Sequence, residues 1–405
     1  MYQYHTLSNG LRVVFRRNRS AVTHSAVYVN VGSRDEVGAE EGVAHFIEHG
    51  LFKGTARRKA YHIINRIDGV GGELNAFTTK EETCVYASSL GQHLERCLEL
   101  FSDILFHSVF PEKEMEREKD VVIEEINAYK DSPADLIYDE FEELLFGTHP
   151  LAHNILGTKK NVKRFTPGFV SDFMRRNYTP DRMVVSVVGD VDFDRLVRLC
   201  ERYFGAYPQG ASSSQRLRLT DTCQFRKTVN RHTHQIHALI GCLAPSAFEE
   251  NKAAFTLMNN ILGGPALNSR LNVAVREKYG FCYTIESQYV PMSDTGLFYI
   301  YVGLDHDSQD KAVDLIMKEL YQMAECRLTD ARLRAAQRQM IGQMAISNDV
   351  ALNEMQSIGK ACMLFGKVDS LEEMNKDILA VTADDIQRLA AEYFNPDRFS
   401  MLFYK

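Results

Sequence analysis

The sequence predicts an α+β protein of two homologous halves, each a mainly antiparallel β-sheet with helices packed against it. Three observations predict it. A segment recurs: residues 166–183 read TPGFVSDFMRRNYTPDRM and residues 382–399 read TADDIQRLAAEYFNPDRF. Thr166 and Thr382, Pro180 and Pro396, and Asp181-Arg182 and Asp397-Arg398 all stand 216 positions apart. Strand-like runs return through hairpin-like joints with helical stretches beside them, which indicates α+β halves. The 405 residues, 45% hydrophobic and 25% charged, have ordinary globular composition and a length that suits two domains.

Each copy of the repeat opens on a threonine suited to cap an amphipathic helix. The helix stops before an Asx/Thr-Pro-Asp turn and a β-rich run follows, 183–188 in one copy and 399–404 in the other. Identical spacing across 18 residues favours duplication over a common joint arising twice. Between the copies, PQGASSSQRLRLTD starts at Pro208. Its Gly/Ser content and lack of periodicity mark a linker, which sets the halves at 1–215 and 216–405. In the first half, residues 12–15, 23–31 and 83–87 read as strands, with Val27, Val29 and Val31 on one face; 41–52 and 112–129 read as helices. In the second, 236–242, 282–290 and 297–302 read as strands and 253–262, 311–325 and 330–347 as helices.

Forty-seven basic against 54 acidic residues leave a net charge of -7, which argues against nucleic acid as the main partner. The N-terminus lacks an apolar core of signal-peptide length, and no stretch approaches the roughly 18 apolar residues of a membrane span. The eight cysteines are dispersed and form no CxxC pair, as expected of thiols in a reducing compartment. These features together predict a cytoplasmic protein.

The most informative segment is His45-Phe46-Ile47-Glu48-His49. On a helix, His45 and His49 are four apart and point the same way, so two imidazoles can share one Zn²⁺ at about 2.0–2.1 Å each. Glu48 stands beside the metal without filling the same corner, and a carboxylate there can take a proton from a metal-activated water. The pattern needs a third ligand. The helix EKEMEREKDVVIEEINAYK is rich in carboxylates, and Glu118 and Glu125, seven apart, share a face. A solvated charged helix is the plainer account of them, and spacing does not choose between Glu124 and Glu125.

HxxEH followed by a glutamate 76 residues beyond the last histidine resembles the inverted-motif zinc peptidases. More narrowly, the chain resembles the pitrilysin/insulinase family, the group that includes mitochondrial processing peptidase. HFIEHGLFKGT is followed by GGELNAFTTKEETCVYA, EREKDVVIEEI and LNSRLNVAVREKYGFCYTIES, in the family's order and across nearly the whole chain. The resemblance implies His45, His49 and Glu125 as ligands of one zinc ion per chain and Glu48 as general base. It implies that Glu118 supports a ligand histidine, as an acceptor for the second ring N–H would. Asn75 and Ala76 fall on the family's substrate-binding edge strand, where an extended peptide can add as a further strand. Arg276 and Tyr283 match an arginine–tyrosine pair that holds a substrate carbonyl and assists an oxyanion. Tyr279 departs from the basic residue common at its position. The zinc motif and the Arg/Tyr pair lie in different repeats of a chain half the length of the long relatives. A dimer is therefore implied, with Arg276 and Tyr283 reaching the other subunit's zinc; a homodimer is the economical form and a heterodimer with a degenerate relative the other.

Other histidines do not fit the pattern. His149 and His153 are four apart, but Pro150 opposes a helix through them. His232, His234 and His237 are expected on a strand, without an acidic partner at ligand spacing. Gly263-Gly264-Pro265 lacks the Lys-Ser/Thr of a P-loop and reads as a turn before a helix capped by Asn268. The expected activity is zinc-dependent endopeptidase action on peptides or unfolded polypeptides. A non-catalytic subunit and a dedicated leader- or targeting-peptide protease are the alternatives.

Overall fold

Two β-sheets organise the chain in the computed structural model, which describes residues 1–210 and 216–405. The middle of the expected linker, 211–215, lies outside the described residues. The first sheet contains β1 (Tyr2–Thr6), β2 (Arg12–Arg17), β3 (Val22–Val29), β4 (Glu73–Thr78), β5 (Thr83–Leu90) and β6 (Met183–Gly189), in the order β1-β2-β6-β3-β5-β4. The second contains β7 (Arg226–Val229), β8 (Ile236–Ala244), β9 (Cys282–Pro291), β10 (Gly296–Leu304) and β11 (Ser400–Tyr404), in the order β7-β11-β8-β10-β9. Without β1, the two orders are the same permutation of five consecutive strands. Each has one parallel pair, β2 with β6 and β7 with β11, and is otherwise antiparallel. The architecture is the expected α+β one, and the repeated topology matches the repeated sequence.

The repeat's local chemistry accounts for its geometry. Thr166 Oγ1 accepts from the Phe169 amide at 3.3 Å and Thr382 Oγ1 from the Asp385 amide at 3.1 Å. These open the helices Pro167–Asn177 and Ala383–Tyr393. Each cap satisfies an amide that has no partner inside its own helix. A short 3-10 turn, Pro180–Arg182 or Pro396–Arg398, then delivers the chain into β6 or β11.

Two compact units result, and they depart from the 1–215 and 216–405 halves in one respect. Residues 129–152 belong to the second unit and residues 346–370 to the first. The cause is burial of apolar helix faces. The helix Pro133–Phe146 packs Ile137, Phe141 and Leu145 with Leu239, Tyr299 and Leu402 of the second sheet. The helix Ala351–Phe365 packs Met355, Ile358 and Cys362 with Val14, Tyr28 and Val184 of the first. A Cβ on Gly359 would stand 2.5 Å from the Tyr28 ring, so glycine lets that helix lie close on the sheet. Strand alternation sends Val13, Val185 and Val187 to the opposite face, where they join the main core of the first unit with the remaining helices.

Two local expectations are corrected. His232 and His234 lie before β8 rather than on a strand, because pairing begins only at Ile236. His237 alone of the three is on the strand, and its Nδ1 pairs with the Tyr301 hydroxyl at 2.7 Å. Asn268 does not cap a helix; its amide pairs with Gln339, and the following turn, Asn272–Glu277, is π-helical. All eight thiols are free, and no helix among the described residues is long and apolar enough to cross a membrane.

Candidate metal centre

The helix Val43–Gly50 is oriented by its own sequence. Val43, Phe46, Ile47 and Gly50 are buried at i, i+3, i+4 and i+7, which leaves His45, Glu48 and His49 to the other side. Its start is held from outside the helix. Glu36, fully buried, accepts from the Gly42 amide at 2.9 Å and the Ala44 amide at 2.8 Å. Burial pushes its carboxyl pKa well above the ordinary range, against the pull of those two amides. Gly42 (φ +90°) also meets Gly157 (φ +68°); a Cβ on Gly157 would stand 2.4 Å from the Gly42 Cα. Only glycines permit that crossing over the helix entrance.

The second component is the helix Glu112–Lys130, where Met115, Glu118, Val122 and Ile126 are buried. This face presents Glu118 and Glu125 to the histidines. Glu118 Oε1 is 2.8 Å from His49 Nδ1, and its Oε2 is 2.7 Å from Lys53 Nζ. Glu125 Oε2 is 3.6 Å from His45 Nε2 and 3.5 Å from His49 Nε2. Glu124 instead accepts from Asn127 at the exposed side of the helix. Spacing left the two open and the resemblance implied Glu125; Glu125 is the one beside the histidines.

These residues fit a metal ion. One ligand atom from each of His45, His49 and Glu125 lies within 4.8 Å of the others. Glu125 Oε2 is buried and makes no hydrogen bond. Ligand atoms about 2.0–2.1 Å from one tetrahedral ion stand roughly 3.4 Å apart, close to the observed separations. The donor set of two imidazoles and one carboxylate suits zinc, and the Glu118 contact leaves His49 Nε2 as the nitrogen available to a metal.

The electrostatics separate the two imidazoles. Burial and the charge of His49 lower the His45 pKa to about 4, with Glu125 opposing them. Burial would lower His49 too, but the carboxylates of Glu118 and Glu125 outweigh it and raise its pKa to about 9. Glu118 resists the upward pull of burial and lies below its ordinary value, because His49 and Lys53 favour the charged form. Burial raises the Glu48 carboxyl, while Thr78 and His49 pull it down.

The other expected residues are placed as follows. Asn75 and Ala76 lie on β4, the edge strand of the first sheet, beside the histidine helix. The Ala76 amide donates to Asn75 Oδ1 at 2.9 Å, so it is directed away from β5. Arg276 and Tyr283 belong to the second unit. Arg276 lies in the π-helical turn, where it donates to Asn272 Oδ1 at 3.3 Å; Tyr283 is on the edge strand β9 and 85% exposed. His149 and His153 do not converge. The first accepts from the Leu151 amide and belongs to the second unit, whereas the second approaches the Ser33 carbonyl and belongs to the first.

Lys53 and Glu36 were not anticipated. Lys53 lies four residues beyond His49, past the helix end, and only the turn that follows folds it back onto Glu118. Its charge stabilises the ionised Glu118 that receives the His49 ring. Lys53→Met is therefore expected to weaken zinc binding about tenfold, the low end for loss of a group that supports a ligand. Lys53→Arg should retain most of the affinity. Competition against a chelating dye measures both.

Residues 12–159 match the family described as Insulinase (Peptidase family M16), and residues 164–340 match the one described as Peptidase M16 inactive domain. The chain is 32% identical over 398 residues to an uncharacterized zinc protease of Bacillus subtilis, covering 98% of this chain and 97% of that one. It is 34% identical over 395 residues to an uncharacterized zinc protease of Mycobacterium leprae, covering 96% of this chain and 88% of the relative. Among solved structures, a protease from Helicobacter pylori aligns with a TM-score of 0.90 at 22% identity, over 100% of this chain and 99% of that one. A structure from Pseudomonas fluorescens described as a peptidase M16 inactive domain aligns with a TM-score of 0.92 at 22% identity, over 100% and 97%. At that identity the two structures speak to the shared fold alone.

Proposed function

The chain belongs to the insulinase family of peptidases, and from that premise we propose that it is a zinc-dependent endopeptidase acting on peptides or unfolded polypeptides. The observation that carries the reading is the convergence of His45, His49 and Glu125 on one point, with Glu48 on the same helix. All of these residues fall within the stretch matched to the insulinase description, and none in the stretch matched to the inactive domain.

His45, His49 and Glu125 would hold the ion. Bound zinc would supply a Lewis acid that polarises a carbonyl and makes water more acidic. Glu48 accepts the proton of the attacking water and returns it to the leaving amine, a role suited to a carboxyl whose pKa burial has raised. Glu118 receives the second N–H of His49 and fixes that ring. The open side of β4 at Asn75 and Ala76 binds the peptide backbone as an added strand. Tyr283 donates to the oxyanion and Arg276 holds a substrate carbonyl, both in the zinc site of a second copy in a homodimer. The exposure of Tyr283 supports that assignment. The dispersed free thiols support a cytoplasmic location.

The reading is tested on purified protein. Elemental analysis should find zinc near one per chain, and chelation should abolish cleavage of a denatured protein. The same protein left folded should be spared. Absence of zinc together with hydrolysis that survives chelation would remove the proposal.

A further inference from the structure

The second unit contains a cavity of about 520 Å³ for which the reaction above has no use. Its walls come from the helices Lys252–Gly263, Gln309–Glu325 and Asp330–Asp349 and from the π-helical turn Asn272–Glu277. The lining has three chemical parts. The first is cationic. Arg270 is engaged by Glu319 at 2.8 Å and by Gln322 at 3.2 Å, whereas Lys278 and Arg332 are exposed and form no ion pair among the described residues. Glu319, the one carboxylate of the lining, is thus already matched, and two positive charges are left over. The second part is polar. Ser269 is 4% exposed, and its Oγ is buried without a hydrogen-bond partner. A buried hydroxyl left in that state is unfavourable unless a ligand satisfies it. The third is aliphatic: Ile261, Val273 and Leu328 form an apolar surface.

We propose that this cavity binds the C-terminal end of a peptide. The free carboxylate is matched to Lys278, Arg332 and the Ser269 hydroxyl, and an aliphatic last side chain to Ile261, Val273 and Leu328. The primary amide of Asn260 and the amide nitrogen of Gln322, whose oxygen is taken by Arg270, offer the acceptor and donors that a peptide group requires. A bare inorganic anion would leave the apolar surface unused. None of the lining side chains is aromatic, so a nucleobase would find no ring to stack on. The volume is ordinary for a small-ligand site and accommodates one or two residues. Val273 and Ala274, in the wall, belong to the same π-helical turn as Arg276, so occupancy steadies the segment that presents that arginine. The choice of a peptide rests on the peptidase reading, but binding requires no catalysis.

The test is fluorescence anisotropy with the full chain carrying Glu48→Gln, kept metal-free with chelator so that no probe is cleaved. The probes are a short dye-labelled peptide ending in leucine with a free carboxylate, the same peptide as its C-terminal amide, and unlabelled hexanoate as competitor. The free-acid peptide should bind at least about tenfold more tightly than the amide, the loss expected for one charge-assisted contact. Combined Lys278→Glu and Arg332→Glu substitutions, both at exposed positions, should abolish that preference. Equal binding of acid and amide, no effect of charge reversal, or no binding at all would overturn the proposal. Displacement by hexanoate as effective as by unlabelled peptide would also overturn it, leaving a simple fatty-anion site. Because turnover is blocked throughout, failure here is separate from failure of the zinc peptidase reading.

Discussion

Glu48→Gln is expected to lower peptide hydrolysis by about 10²–10⁴-fold, the range for loss of a general base, while zinc content stays at the wild-type level. Glutamine keeps the size and polarity of the side chain, and the atoms that converge on the metal position belong to His45, His49 and Glu125. The amide has no basic oxygen able to take up a proton near neutral pH. Steady-state hydrolysis of an internally quenched peptide, paired with metal analysis of the same preparation, checks both halves. Wild-type turnover in the variant would remove Glu48 from the mechanism. Loss of zinc along with activity would show that the substitution had acted on the metal site instead.

The second large effect is a recovery. On the proposed mechanism Tyr283→Phe removes one oxyanion donor, and it is expected to cost about 10²-fold or more. Tyr283 is 85% exposed, so the substitution should leave the fold intact. Mixing this chain with the Glu48→Gln chain should restore roughly a quarter of wild-type activity if subunits exchange freely. Random pairing makes half the dimers mixed, and each mixed dimer has one site with both groups intact. If both groups act within one chain, no mixture can exceed the residual activity of its parts. A wild-type chain that is monomeric by light scattering and fully active would overturn trans completion without touching the zinc chemistry.

Much of this was legible in residue spacing. The offset of 216 between the two Thr…Pro-Asp-Arg segments anticipated two sheets of one topology. Capping and turn chemistry act within a few residues, so both helix starts and both strand entries could be read directly from the chain. Helix periodicity likewise placed His45 and His49 together and Glu118 and Glu125 on one face. The two exchanged helices were not legible. Pro133–Phe146 and Ala351–Phe365 carry apolar faces, and nothing local says which sheet will bury them, since burial is non-directional and either core would accept an apolar stripe. Lys53 and Glu36 were missed for a related reason. Each acts on a group that a turn or loop brings back to it, and a lone lysine or glutamate outside a periodic element carries no signal of its own.

The sequence by itself determined the local periodicities: which residues share a helix face, where helices are capped, and that the strand pattern occurs twice. Spacing left Glu124 and Glu125 open and the resemblance implied Glu125, which the tertiary structure brings beside the histidines; only the tertiary structure decided that Lys53 braces Glu118 and that a buried Glu36 caps the histidine helix. The division has a physical cause. Backbone torsions and side-chain period are set over a few neighbouring residues. A pairing between positions tens of residues apart depends on how whole helices and sheets settle against one another to bury their apolar faces.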